Sequence, residues 1–247
     1  MIGLFDTFLY QPIFNLLIGI YNFIPGNDIG VAIIILTILV KTALWPVSAR
    51  ALKSQKSLQD IQPKLEELKK KYPDKEDKEK LAKEMMELYS KEKVNPMASC
   101  LPLLIQLPVF IALYKSLIKG LESQGFDHLY SFVANPGTIE PIFLGLVQLG
   151  EVNIYLAVLA AITQYFQAKM MVTKQQPKKT PGAQDEKMLA NMNKSMVYMM
   201  PVITLVIGLQ FPGGLTLYWL VMNLLTIFQQ KVFLKKDDKE KPAEATA

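Results

Sequence analysis

The sequence is poor in the residues from which most catalytic and metal sites are built. It holds one cysteine, Cys100, and one histidine, His128. A single thiol excludes an internal disulfide framework and any paired-cysteine redox or zinc site. One imidazole leaves no His-based metal cluster. No Asp or Glu falls inside any of the long apolar runs, so the paired carboxylates of an intramembrane aspartyl protease are missing. An intramembrane Ser–His pair is missing too, because His128 lies in a connection. No glycine-rich loop ends in Lys-Ser or Lys-Thr, as a nucleotide hydrolase would require. These gaps argue against an enzyme and against a bound cofactor or metal. Residues 1–28 contain no Lys or Arg, whereas a secretory leader opens on a basic stretch. Neither a cleavable signal nor a lipid-modified cysteine is expected there.

What is abundant is apolar length. Hydrophobic residues make up 51% of the 247, and they gather into runs of about 20, matching the ~30 Å hydrocarbon core of a bilayer. The expected fold is an all-α membrane protein with five transmembrane helices, at 29–48, 97–119, 152–171, 195–211 and 214–232. The first run ends at Trp45-Pro46, an interface aromatic and a helix breaker. Phe211-Pro212-Gly213-Gly214 joins the last two into a hairpin.

The net charge is +5, but its distribution matters more than its size. Residues 49–96 hold 13 Lys/Arg, 172–194 hold 5 and 231–247 hold 5, while 1–28 and 120–151 hold none. Segregation to one side of the spans is the positive-inside pattern, not the footprint of a sequence-specific nucleic-acid binder. It puts the N-terminus and the 120–151 loop outside and the C-terminus in the cytoplasm. Five is the number of spans that this arrangement requires.

The connections differ in character. Residues 1–28 read as an extracytoplasmic amphipathic helix in the membrane interface. There Thr7, Gln11, Asn15, Gly19 and Asn22 draw a polar stripe, and Pro12 is a candidate kink; a sixth span is the alternative. Residues 49–96 read as a cytoplasmic helical hairpin. Its seam is Leu58, Ile61, Leu65, Leu68 and Tyr72, continued by Leu81, Met85 and Leu88, with a turn at Tyr72-Pro73-Asp74. Residues 172–194 form a cytoplasmic loop, and 233–247 a basic tail expected to be disordered.

Lys41 is the anomaly. It lies about 10 Å inside the cytoplasmic end of the first span, at ~1.5 Å per residue. From position alone, its amine either snorkels to the head groups or faces a wet interior. Thr37, Thr163, Gln164, Gln167, Thr216, Tyr218, Asn223, Thr226 and Gln106 also fall within spans. Each alone serves as helix–helix glue. Together with Lys41 they favour a hydrated cavity in the cytoplasmic half.

At residues 62–72, QPKLEELKKKY, and 84–114, EMMELYSKEKVNPMASCLPLLIQLPVFIALY, the sequence resembles the YidC family of membrane insertases. The stretch 211–219, FPGGLTLYW, resembles that family's link into its last span. The likeness is to the compact, Gram-positive type, without a large extracytoplasmic domain. It implies a bacterial inner-membrane protein that inserts and helps fold helical membrane proteins through a hydrophilic groove open to the cytoplasm and to lipid. It implies that Lys41 holds the place of the family's basic groove residue, commonly arginine. It also implies a groove glutamine, for which Gln164 and Gln167 both qualify, and a groove tryptophan at Trp219. Thr37 and Asn223 complete the expected lining. The partners implied are nascent membrane proteins, the ribosome or targeting machinery, and the Sec translocon. Two rival functions remain at this stage: a small-anion transporter with Lys41 as its site, and a structural assembly factor.

Overall fold

A polypeptide in hydrocarbon must satisfy its backbone internally, and helices do so within one segment. The computed structural model describes residues 3–72, 77–95, 101–171 and 197–240, and these are mostly helical. A widened π-helical turn, Asp6–Tyr10, leads directly into α1 (Gln11–Phe23). There the Gln11 N–H donates to the Asp6 carbonyl, one residue further back than in an α-helix. The following Pro12 lacks an N–H and would crowd a regular turn, so the widening stands where a kink is expected.

Asp28 caps α2 (Ile29–Ala43) by accepting from the Val31 N–H at 2.9 Å. The helix closes at Leu44, and α3 (Trp45–Asp60) starts at once with Pro46 as its second residue. Proline is tolerated in a first turn, so Trp45-Pro46 starts a new helix instead of ending the structure. The two axes meet at 64°. The segment expected to span at 29–48 thus holds a bend at Leu44, next to the Trp45-Pro46 pair.

Beyond α3, α4 (Gln62–Lys71) and α5 (Lys78–Lys91) run back along each other. They are tied by Lys64–Glu92 at 2.6 Å and Lys71–Glu84 at 3.1 Å. Ile61 and Leu65 of the expected seam are buried. The turn at Pro73-Asp74 lies outside the described residues, as do Cys100 and the whole loop 172–194.

Four more helices complete the body: α6 (Leu101–Leu121), α7 (Ile154–Met171), α8 (Val197–Gly208) and α9 (Gly213–Glu240). α9 continues to Glu240, past the point where a disordered tail is expected from 233. Lys and Glu are good helix formers and extend a helix that is already nucleated. The connection between α6 and α7 carries a short antiparallel ladder, β1 (Ile142–Phe143) with β2 (Val147–Gln148), pairing Ile142 with Gln148 and Phe143 with Val147.

The core joins α1, α2, α6 and α9. Phe14, Leu17, Ile18, Ile33, Leu36, Leu113, Leu117 and Leu215 are all within 2% of complete burial. α1 thus inserts its apolar face among the other helices. Its polar stripe is occupied as well. Gln11 and Asn15 donate to the His128 carbonyl, Asn15 accepts from the Tyr130 N–H at 2.6 Å, and Asn22 donates to the Ala134 carbonyl. The stripe holds the 122–153 connection in place.

Small residues line the closest helix approach. Ala157 and Ala160 of α7 are fully buried, and a Cβ on Gly208 of α8 would come within 3.0 Å of the Ala157 Cβ. Where lipid is as apolar as leucine, such close packing drives association. Large apolar side chains point outward instead, among them Tyr155, Val158, Leu159, Val202, Val206, Leu224 and Phe228. Among the described residues no single helix is long and apolar enough to cross a membrane, though the bent α2–α3 pair passes by length and composition. α7 and α9 fall short because a row of amides and hydroxyls dilutes them.

Candidate functional site

The dilution has a pattern. On α9, Trp219, Asn223, Thr226 and Gln230 follow one another at intervals of four, three and four residues. That spacing puts them on one face of a continuous helix. α2, α3 and α7 all pack against α9.

On the α2 side, Thr37 and Lys41 are four residues apart and share a face. Thr37 is fully buried, and its hydroxyl donates to the Ile33 carbonyl at 2.6 Å. Lys41 is half-buried and reaches across to α9, where its Nζ donates to Thr226 Oγ1 at 3.1 Å. The Thr226 hydroxyl itself donates to the Met222 carbonyl at 2.7 Å, so its lone pairs are free to accept from the ammonium. Among the described residues no carboxylate lies within ion-pairing distance of Lys41. One turn further along α9, Gln229 is fully buried and donates from Nε2 to Ser48 Oγ at 3.3 Å.

On the α7 side, Asn223 donates to the Ala160 carbonyl at 3.1 Å and to Thr163 Oγ1 at 3.3 Å. Gln167 stands one turn beyond Thr163 on the same face, and its Oε1 is buried without a hydrogen-bond partner. Gln164 is a quarter-turn away and half-buried. Of the two glutamines that the sequence leaves equivalent, Gln167 carries the buried amide oxygen without a partner.

Toward the other end of α9, Trp219 is half-buried and packs on Phe110 of α6, with ring centroids 5.6 Å apart. Tyr218 hydrogen-bonds Gln106 beside it. Trp219 lies about 10 Å from the level of Thr226 at 1.5 Å per residue. The seam is thus long, with an aromatic end and a cationic end.

Four buried polar atoms along the seam have no partner: the amide oxygens of Gln167, Gln229 and Gln230, and the Thr216 hydroxyl oxygen. Leaving a buried polar atom unpaired costs about 1–3 kcal/mol. Gln229, Gln230 and Ser48 were not singled out from the sequence. They adjoin Lys231 and the Trp45-Pro46 break, where polar residues read as membrane edge. The four-three-four spacing from Trp219 is the signal that would have found Gln230.

A helical body with an outward apolar surface and an inward row of amides around a lysine fits the class of helical membrane proteins with a polar interior. The sequence model of the 60Kd inner membrane protein family matches residues 19–241, and the chain belongs to that family. Relatives named membrane protein insertase YidC bear out the resemblance seen at 84–114 and 211–219. The relative from Pelobacter propionicus is 38% identical over 224 residues, 91% of this chain and 38% of its own length. One from Listeria monocytogenes is 34% identical across 90% of this chain and 69% of its own length. One from Oceanobacillus iheyensis is 33% identical across 92% and 82%. The chain spans little more than a third of the length of the Pelobacter relative.

Proposed function

We propose that this chain is a membrane protein insertase and folding chaperone, and that the α9 seam is the surface on which it receives its substrates. The observation that carries the reading is Lys41. It is a half-buried cation within an apolar run, held by one threonine hydroxyl and, among the described residues, by no carboxylate. A charge so placed costs on the order of 3 kcal/mol at mid-membrane and usually marks a function. The unpaired amide oxygens beside it support the same reading, since a polar segment in transit can take their hydrogen bonds. The names of the relatives agree with it.

The physical logic is short. A polar segment entering hydrocarbon loses its water. A groove lined by amides and hydroxyls and open to the cytoplasm and to lipid offers replacement partners and shortens the dry path. Lys41 attracts an acidic translocated end, and the attraction is stronger where the surroundings have a low dielectric. The substrate's apolar helix then partitions into lipid, which drives the step without bond-making chemistry.

In this reading the N-terminus and the 122–153 connection lie outside, five spans cross the inner membrane, and the α3–α5 hairpin and the C-terminus are cytoplasmic. The hairpin and tail meet the ribosome or targeting machinery, with the Sec translocon as a further partner. Thr37, Lys41, Gln164, Gln167, Trp219 and Asn223 form the substrate groove.

The test is insertion of a short two-span substrate into liposomes holding the purified chain. Lys41→Arg should keep most activity, because charge and stem remain. Lys41→Ala should lose about tenfold on acidic translocated segments, the effect of about 1.4 kcal/mol, and much less on neutral ones. Lys41→Glu should be worse than Lys41→Ala. Equal handling of acidic and neutral substrates by Lys41→Ala would remove Lys41 from the mechanism. No insertion by the parent chain, together with anion flux through it, would replace the insertase by a transporter.

A further inference from the structure

Two lysines stand apart from the charge pattern. Lys115 and Lys119 are the sole Lys or Arg residues in 94–168. They lie one turn apart near the end of α6, beside the connection that is otherwise free of positive charge. A cleft of about 460 Å³ opens there between α6 and the N-terminal helix, lined by Asp6, Tyr10, Tyr114, Lys115, Lys119 and His128.

The cleft is short of negative charge. Lys115 Nζ is 3.4 Å from Asp6 Oδ1, a long pair, and 5.2 Å from the centre of the Phe5 ring. Lys119 Nζ lies 5.5 Å from the centre of the Tyr10 ring, and no described carboxylate pairs with it. Tyr10 is 4% exposed, and its hydroxyl has no hydrogen-bond partner. Burial, with Asp127 and Asp6 nearby, pushes its pKa up to about 12, so the hydroxyl stays protonated and able to donate. Two ammonium groups and a phenol thus stand against two carboxylates, Asp6 paired at long range with Lys115 and Asp127 beside His128.

The walls of the cleft run on into apolar surface. Leu107 and Ile111 are 54% and 38% exposed and precede Lys115 at four-residue intervals on the same face of α6. Each interval is about 6 Å. Leu4 and Phe8, on either side of Asp6 in the chain, are 79% and 71% exposed. A small soluble anion would use only the charged end of this surface. A molecule with an anionic head and long apolar chains matches all of it.

We propose that this cleft binds an anionic phospholipid, its phosphate held by Lys115 and Lys119 and its acyl chains laid along Leu107 and Ile111. The inference rests on membership of an inner-membrane family and not on insertion activity, and it concerns the opposite end of the molecule from Lys41.

The experiment is native mass spectrometry of the purified full chain in detergent. Phosphatidylglycerol and phosphatidylcholine with identical acyl chains are offered in equal amounts. The parent chain should retain phosphatidylglycerol preferentially. Lys115→Gln and Lys119→Gln should each weaken that retention about fivefold, the effect of one basic residue at a membrane surface. The double Gln variant should show no preference, and the double Arg variant should keep it. The Arg pair separates loss of charge from loss of fold; should the Gln pair not fold, Lys119→Gln alone decides. Unchanged preference in a folded Gln variant overturns the proposal. So does displacement of the lipid by glycerol 3-phosphate at matched concentration, which would make this a soluble-phosphate site.

Discussion

Gln229 is wholly enclosed, yet only the NH₂ half of its amide is satisfied, by Ser48. A leucine of similar volume would remove both the bond and the orphaned oxygen. The substitution removes the desolvation cost of the orphaned oxygen, while the partly exposed Ser48 keeps its own bond to the Leu44 carbonyl. Gln229→Leu should therefore raise the melting temperature in detergent, by the equivalent of about 1 kcal/mol, while lowering insertion in the liposome assay. A variant that loses stability would show the amide to be structural. Much of this polar row could be read from the sequence, because an amide or a lysine inside an apolar run is conspicuous. What could not be read was pairing. Nothing in the order of residues says that Lys41 meets Thr226 and not Asn223, since that depends on how α2 and α9 are rotated against each other.

A helix that is apolar on its own is easy to find, but a helix that changes direction is not. The bend after Leu44 was hidden because Pro46 reads as a stop and serves here as a start. The buried face of α1 was hidden for another reason: its polar stripe suits water as well as it suits the carbonyls of His128 and Ala134. At the start of α2, a Cβ on Gly30 would fall 2.2 Å from Phe143 Cδ2. Gly30→Ala should destabilise by about 1–3 kcal/mol, the usual cost of overpacking, and Phe143→Ala in the same chain should restore part of it. Thermal melting of the two variants checks both. In the hairpin, hydrogen bonding from Tyr72, and then from Lys71, holds the Glu84 carboxyl below its ordinary pKa. A folded pKa below the unfolded one gives stability that is present above the unfolded value and is lost as pH falls through the folded one. The α4–α5 pairing should loosen as pH falls below the ordinary glutamate range, and Glu84→Gln should remove the Glu84 share of that dependence and leave the share of Lys64–Glu92. Amide exchange in α5 against pH reads both outcomes.

Taken whole, the chain presents one strongly basic end and one end that is nearly free of positive charge, with Lys115 and Lys119 as the exception. In a background with Cys100 replaced by serine, single cysteines at Ser123 and Ser131 should label from outside the cell. Cysteines at Ser57 and Thr180 should label only after permeabilisation. Reversed labelling at any two of these positions would overturn the orientation proposed for the molecule.

Asp28 fixes the first end of α2 to the connection between α6 and α7. One of its oxygens caps α2 at Val31, and the other accepts from the Leu144 N–H at 2.6 Å. Leu144 sits at the tip of the β-ladder with a φ of 51°, a conformation that a leucine rarely holds unaided. The far end of α2 meets the 64° break at Leu44. The helix is therefore a rod pinned at one end and jointed at the other. Lys41 lies 13 residues from the pin, at a radius of about 20 Å. A swing of ~10° about Asp28 carries the ammonium roughly 3 Å, about the length of its bond to Thr226. Under the groove function proposed for α9, a small tilt at the Asp28 end would be enough to release the cation to an incoming chain and to take it back.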